Sequence, residues 1–142
     1  MNSVKKIFDK NVLYIAWIQA IAATAGSLIF SEVLGYAPCL LCWYQRIAMY
    51  PLVVIIAVGI ILNDKKLVFY ALPLSIAGGV IAFLQYLLQL GVLTEASFPC
   101  RVGVSCATRE VNYFGFITIP FLSLVSFIII TTCLLYYWRT NK

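Results

Sequence analysis

The chain has 142 residues, of which 63% are hydrophobic and only 11% are charged, and its mean hydropathy is +0.99. Because about a quarter of the residues in soluble domains are charged, this composition excludes a soluble globular protein and indicates an integral membrane protein. The net charge is +5 without a single histidine, which excludes histidine-based acid–base catalysis and most zinc sites.

Four apolar segments reach the roughly 20 residues that a helix needs to cross a bilayer. They are residues 12–30, 41–62, 67–90 and 116–138. Because they use most of the chain, we predict a single membrane domain over residues 1–142. Its fold class is an all-α bundle of four transmembrane helices with two extracytoplasmic loops.

The basic residues predict the orientation of the bundle. Seven of the ten lie in the N-terminus, the turn after the second segment and the C-terminal tail. They are Lys5, Lys6, Lys10, Lys65, Lys66, Arg139 and Lys142. Since loops rich in Lys and Arg stay in the cytoplasm, we expect cytoplasmic termini and no nucleic-acid partner.

The first segment carries Ala23-Thr24-Ala25, which is similar to a signal-peptidase site. The apolar run continues to Phe30, so we expect it to be retained as a span. Small residues recur in this segment and in the third one, and they allow helix backbones to approach closely in lipid. They are Ala16, Ala20, Ala23, Ser27, Ser75, Gly78, Gly79 and Ala82.

The second segment begins with the sequence PCLLCWYQR, residues 38–46. Pro38 suits a helix start, which would place Cys42 in the first turn, where the helix dipole stabilises a thiolate. Cysteines in such positions, beside a cation, have pKa values of roughly 3.5–7.5. Arg46 lies four residues after Cys42 and therefore on the same helical face. This pattern favours a redox pair, although Arg46 could instead extend to the lipid headgroups.

The long loop between the third and fourth segments, residues 91–115, carries a second pair, Cys100 and Cys106. Both pairs fall on the extracytoplasmic side of the predicted topology. Arg109 could orient this loop or lower a cysteine pKa, or it could contact lipid headgroups. Cys133 lies near the cytoplasmic end of the last segment and is interpreted as a small core residue.

The four outer cysteines allow two other interpretations, a zinc site and two structural disulfides. A structural zinc site usually stabilises a small soluble knuckle, whereas the first pair lies at a membrane boundary. Structural disulfides that close loops of two and five residues would remove little chain entropy. A short C-x-x-C ring is instead readily reduced, as catalytic disulfides are.

Two other classes of membrane protein were considered. A small cation-coupled transporter normally needs a carboxylate inside the membrane, and none of the five acidic residues lies in the middle of a span. A conduit that carries electrons outward needs a cysteine pair on the cytoplasmic side, and Cys133 is solitary there.

The sequence from Cys39 to Arg46 resembles the C-x-L-C-x-Y-x-R motif of DsbB-type quinone-dependent disulfide oxidases. The stretches SFPCRVGVSCATRE and YFGFITIPFLSL resemble the family's second cysteine pair and the start of its fourth helix. The similarity covers essentially the whole chain. The short second pair and the lack of histidine depart from the proteobacterial members, and short chains of this pattern are most similar to the BdbC branch from Gram-positive bacteria. The spacing of the motifs favours the DsbB type over the four-span vitamin K epoxide reductase-like proteins.

The resemblance implies catalytic cysteines at Cys39, Cys42, Cys100 and Cys106 in a bacterial cell membrane. It also implies that the enzyme reoxidises a thioredoxin-fold thiol oxidase of the DsbA or BdbD kind. The mixed disulfide with this partner would form at Cys100, with Cys106 as the resolving cysteine, and exchange would follow at Cys39.

The electrons would then pass from Cys42, held as a thiolate by Arg46, to a quinone, which the resemblance suggests is menaquinone. Arg46 and Gln85 are the residues expected to bind it. Gln85 lies near the position of the histidine in proteobacterial members, and an interhelical hydrogen bond is the alternative role for its side chain.

Overall fold

The computed structural model describes residues 2–98, 100, 105–107, 114–115 and 117–142. Within these residues every secondary-structure element is helical, and four helices are long and apolar enough to cross a membrane. They are α1 (Asn2–Leu28), α2 (Leu40–Leu62), α3 (Leu67–Gln89) and α4 (Ile119–Asn141). The predicted all-α, four-span fold class is confirmed.

The first helix is longer than its apolar segment. It begins at Asn2, ten residues before the predicted span, and continues beyond Leu28 as a π-helix, Ile29–Val33. The helical backbone therefore also continues past Phe30, where the predicted apolar segment ends. Hydropathy marks only the apolar part of a helix, whereas lysine is a good helix former and extends α1 beyond it.

The turn between α2 and α3 is a short helical hairpin, as expected. Asn63 ends α2 in the left-handed conformation (φ 51°), and its N–H points back to the carbonyls of Gly59 and Ile60. The Asp64 carboxylate then accepts a hydrogen bond of 2.8 Å from the backbone N–H of Lys66. These contacts reverse the chain within a few residues, so α2 and α3 pack antiparallel.

Each helix packs against two others, so the four form a closed ring in the order α1, α2, α3, α4. Gly78 of α3 faces the buried Phe127 ring of α4 and the Ala48 methyl of α2 so closely that no Cβ would fit there. Ala16 and Ala20 of α1 are fully buried. The expectation that small residues permit close packing is confirmed at these positions.

The bundle has two chemically different ends. At one end the N-terminus, the α2–α3 turn and the C-terminus line a common basic cavity, which includes Lys5, Lys6, Lys10 and Lys65. Cys39 begins α2 at the opposite end. The fold therefore separates these four lysines from Cys39 by the length of the helices.

Candidate functional site

The first cysteine pair surrounds the start of α2. Cys39 is the N-cap residue with an extended backbone (φ −75°, ψ 174°), and the helix begins at Leu40. Cys42 therefore lies in the first turn, as the sequence predicted. The N–H groups of a first turn have no acceptor within their own helix, so the helix end favours negative charge near Cys42.

In this structure Cys39 and Cys42 are not bonded to each other. Cys39 Sγ donates a hydrogen bond to Cys42 Sγ, and the two sulfurs are 3.1 Å apart. Cys39 is buried, and its hydrogen bond to Cys42 together with that burial raises the pKa of its thiol far above the ordinary value. The two sulfurs are therefore in contact without a bond between them, with Cys39 as the hydrogen-bond donor.

One glutamine side chain contacts these sulfurs, and a second contacts the first. Gln85 of α3 is 2% exposed, and its Nε2 donates to Cys39 Sγ at 3.1 Å and to Cys42 Sγ at 3.3 Å. Gln45 of α2 donates from Nε2 to Gln85 Oε1 at 2.5 Å. The amides therefore join α2 to α3, as the interhelical alternative for Gln85 predicted.

Gln45 was not singled out by the sequence analysis, although a signal for it exists. It lies three residues after Cys42, which places both side chains on one face of the helix. A glutamine is also uncommon within an apolar span, because its amide must find a partner there. These two observations together could have identified it.

Arg46 lies on the opposite flank of the first pair. Its Nε donates to the hydroxyl of Ser27 in α1, and its Nη2 donates to the Ser27 carbonyl, both at 3.0 Å. The guanidinium carbon is also 5.4 Å from the centre of the Trp43 ring, a cation–π contact. Arg46 and Cys42 line the same cavity.

The second cysteine pair forms a disulfide, with a Cα–Cα distance of 5.9 Å between Cys100 and Cys106. Because these sulfurs are bonded to each other, they are not metal ligands in this structure. The predicted Arg109 lies outside the described residues. Cys133 packs against the main core on α4, where the sequence placed it as a core residue.

Glu95 holds the second pair in place. Its Oε1 accepts hydrogen bonds from the Ser105 hydroxyl and, at 2.9 Å, from the Ala107 N–H, which flank Cys106. These donors lower the pKa of the Glu95 carboxyl below its ordinary value. No sequence signal marks Glu95 as a site residue, because nothing in a loop sequence indicates which backbone groups a carboxylate will meet.

The two pairs lie together. Cys39, Cys100 and Cys106 are buried in one cluster, which we call the cysteine cluster and which Leu41 and Leu88 complete. Cys42 packs against its edge. Thiol–disulfide exchange requires one sulfur to attack another directly, and the cysteine cluster places the two pairs in one buried group of packed side chains.

A cavity of about 270 Å³ adjoins the first pair and reaches all four helices. Cys39, Cys42, Gln85 and Arg46 all contribute to its wall, so the structure brings these four predicted site residues together. Most other wall residues are apolar or small, including Ala23 and Met49. An apolar cavity with a few convergent polar groups is the usual form of a small-molecule site.

The family model and the relatives that match this chain all describe disulfide bond formation proteins. A family model described as "Disulfide bond formation protein DsbB" matches residues 9–137. Disulfide bond formation protein C of Bacillus subtilis is 47% identical, covering 87% of this chain and 91% of the relative. A probable disulfide formation protein of Oceanobacillus iheyensis is 45% identical, covering 89% and 90%. Another, of Metapseudomonas resinovorans, is 40% identical, covering 95% and 94%. No solved structure matches the chain at comparable significance.

Proposed function

Because the chain belongs to the DsbB family of disulfide bond formation proteins, we propose that it reoxidises an extracytoplasmic thioredoxin-fold thiol oxidase and passes the electrons to a membrane quinone. The family consists of four-span membrane thiol-disulfide oxidoreductases, so this chain is an enzyme of that class. The observation that carries the proposal is the packing of both cysteine pairs in or against one cluster beside a cavity between the helices.

The proposed reaction begins at the Cys100–Cys106 disulfide. A thiolate of the partner attacks Cys100 Sγ, and Cys106 leaves as a thiolate. Cys106 then attacks Cys39 Sγ of the oxidised first pair, and Cys42 leaves as a thiolate. Cys106 is now bonded to Cys39, so the partner's second thiol, rather than Cys106, resolves the Cys100 mixed disulfide, which releases the oxidised partner and leaves Cys100 as a thiolate. Cys100 then displaces Cys39 from Cys106, so the second disulfide re-forms and the first pair is left reduced.

The cavity beside Cys42 supports quinone as the electron acceptor. When bound, a quinone accepts two electrons and two protons, which returns the first pair to its disulfide. Among the described residues, hydrogen bonds to Ser27 use two of the five N–H donors of Arg46. A further donor of this guanidinium would orient a carbonyl oxygen of the quinone, while the mostly apolar wall of the cavity would hold its ring. The fit of this donor set supports the assignment of Arg46 to the quinone site.

A role in quinone binding alone would require the Gln85 amide to be directed into the cavity. Gln85 lines the cavity, but its amide nitrogen is directed at the two sulfurs. We therefore assign Gln85 to the cysteine pair first and to the quinone second. We favour menaquinone because the sequence resembles the Gram-positive branch of the family.

The test is to mix the purified protein, a reduced thioredoxin-fold substrate and menaquinone, and to follow quinone reduction by absorbance. We expect wild type and the Cys133→Ser control to be active, and Cys39→Ser and Cys42→Ser to be inactive. Wild-type rates in either active-site variant would contradict the proposal. Activity with ubiquinone but not with menaquinone would contradict only the assignment of menaquinone, and the rest of the proposal would stand.

The distribution of charge supports an extracytoplasmic position for the cysteine end. The opposite end carries Lys5, Lys6, Lys10 and Lys65 around one cavity, and basic ends stay in the cytoplasm. In intact cells, cysteines introduced singly at Glu32 and at Lys65 should react differently with a membrane-impermeant maleimide. Labelling at position 32 alone is expected, and labelling at position 65 alone would reverse the orientation.

A further inference from the structure

We infer that Gln45 is a positioning residue, which holds the Gln85 amide with its N–H groups toward Cys39 and Cys42 and thereby makes the Cys39–Cys42 disulfide a stronger oxidant. The inference rests on the proposed redox role of the first cysteine pair. It goes beyond that role because it assigns the control of the pair's reduction potential to two amides outside the cysteine motif.

The shortest hydrogen bonds of the two amides run in sequence, from Gln45 to Gln85 and from Gln85 to the two sulfurs. Gln45 Nε2 donates to Gln85 Oε1, and Gln85 Nε2 donates to both sulfurs. Gln85 Nε2 is 3.3 Å from Cys42 Sγ, whereas Gln85 Oε1 is 3.8 Å from it. The amino end of the Gln85 amide therefore makes the shorter contacts with the sulfur pair, whereas its oxygen accepts from Gln45 and, at the longer distance, from the Cys42 thiol.

Gln45 is what selects this orientation. The carbonyl and amino ends of a glutamine amide have nearly the same size, so packing alone does not distinguish them. If Gln85 turned over, its amino group would face the amino group of Gln45, and its oxygen would face the sulfurs. Because both glutamines are buried, each donor needs an acceptor, and with the Gln45 amino group directed at Gln85 the observed orientation of Gln85 supplies one.

This arrangement favours the reduced state of the pair. Reduction breaks the Cys39–Cys42 bond and adds two electrons and two protons, giving two thiols, one of which can ionise. A thiolate is a far better hydrogen-bond acceptor than a disulfide sulfur, and hydrogen bonds to charged groups are the stronger ones. Donors directed at the sulfurs therefore stabilise the reduced pair more than the disulfide, which raises the reduction potential.

The experiment measures this potential directly. The full chain with Cys100, Cys106 and Cys133 replaced by serine is purified without quinone and equilibrated with mixtures of reduced and oxidised glutathione. Glutathione supplies the two electrons and two protons, and the reduced fraction is read from the mass added by a maleimide. The variants are Gln45→Met, Gln85→Met and the double substitution, in which methionine keeps length and volume without a donor.

We expect Gln85→Met to lower the equilibrium constant for reduction by about ten- to a hundredfold, and tenfold is about 30 mV for this couple. Gln45→Met should lower it by roughly three- to tenfold, and should have no further effect once Gln85 is methionine. Gln19→Met is the matched control, because that amide donates to Ser126 at a different interface. It should change the constant by less than about twofold.

The inference would be overturned if Gln45→Met left the equilibrium constant for reduction unchanged. It would also be overturned if Gln45→Met had the same effect whether residue 85 is glutamine or methionine. If Gln85→Met does not fold, Gln85→Glu gives the same test, because it replaces the donating amino group by oxygen and should also lower the constant. The measurement needs neither quinone nor partner. A protein that fails to reduce quinone would therefore contradict the proposed function while leaving the potential measurable.

Discussion

Arg46 is joined to Ser27 of the neighbouring helix by two hydrogen bonds of 3.0 Å, one to the serine hydroxyl and one to its carbonyl. The sequence placed Arg46 near Cys42 by helical periodicity and left open whether its side chain extends to the lipid headgroups. The contact with Ser27 holds the guanidinium in the wall of the cavity instead. The position of this cation is therefore set by α1 as well as by its own helix.

Replacing Ser27 with alanine should weaken quinone binding, because the guanidinium loses one of its two acceptors on α1. We expect the KM for quinone to rise by roughly three- to tenfold with little change in kcat. Thr132→Ala is the matched control, since that hydroxyl donates only to the Ile128 carbonyl of its own helix among the described residues. Steady-state kinetics over a range of quinone concentrations measures the effect, and an unchanged KM would argue against this role of Ser27.

The roles of the two cysteine pairs should be distinguishable by using two reductants, a thioredoxin-fold substrate and dithiothreitol. Cys100→Ser and Cys106→Ser should each abolish oxidation of a thioredoxin-fold substrate, because the proposed point of electron entry is lost. Both variants should still reduce quinone with dithiothreitol, which can reduce the first pair directly by thiol–disulfide exchange. Continued oxidation of the protein substrate by either variant would show that the second pair is not required.

Glu95→Gln should loosen the contacts around Cys106, because a neutral amide accepts more weakly from Ser105 and Ala107 than the carboxylate does. We expect a water-soluble phosphine to reduce the Cys100–Cys106 disulfide roughly two- to fivefold faster. The control is Glu32→Gln, a carboxyl that precedes the first outer loop. An equal rate in Glu95→Gln and wild type would mean that the Glu95 contacts do not restrain the disulfide.

The same contact predicts a pH dependence. The pKa of the Glu95 carboxyl is lowered by its hydrogen bonds to Ser105 and Ala107. The restraint should therefore persist above the ordinary glutamate pKa and be lost as the pH falls through the lowered value. The phosphine reaction of the wild type, normalised to a free peptide disulfide at each pH, should accelerate in that acidic range. Glu95→Gln should show no such step, and a step in both proteins would assign it to another group.

Gly78→Ala should destabilise the bundle, because the new methyl group would overlap the ring of Phe127 and lie 3.0 Å from the Ala48 methyl. Overpacking of this kind costs about 1–3 kcal/mol. Gly79→Ala is the matched control, since a Cβ there meets Phe127 Cβ at an ordinary 3.4 Å. Thermal unfolding in detergent should give a lower midpoint for Gly78→Ala alone, partly restored by Phe127→Leu. An equal loss in both glycine variants would point to backbone effects.

Much of the fold was predictable because its signals are local. A bilayer requires long apolar helices whose backbones satisfy their own hydrogen bonds, so the four spans and the short Asn63–Lys66 turn follow from composition and length. The start of α2 near Cys39 also follows from Pro38 and the apolar residues after it. The limits of α1 were less predictable, because polar residues that extend a helix beyond the membrane give no signal in hydropathy.

The sequence by itself determined that the chain crosses a membrane with four helices, that both cysteine pairs lie toward one end, and that Arg46 shares a helical face with Cys42. Only the tertiary structure decided that Gln85 donates to the sulfurs, that Gln45 orients it, and that Ser27 anchors Arg46. The reason is physical. Periodicity and transfer free energy specify which face of a helix is polar, whereas contacts between helices depend on their relative rotation and depth, which are set by packing at positions such as Gly78.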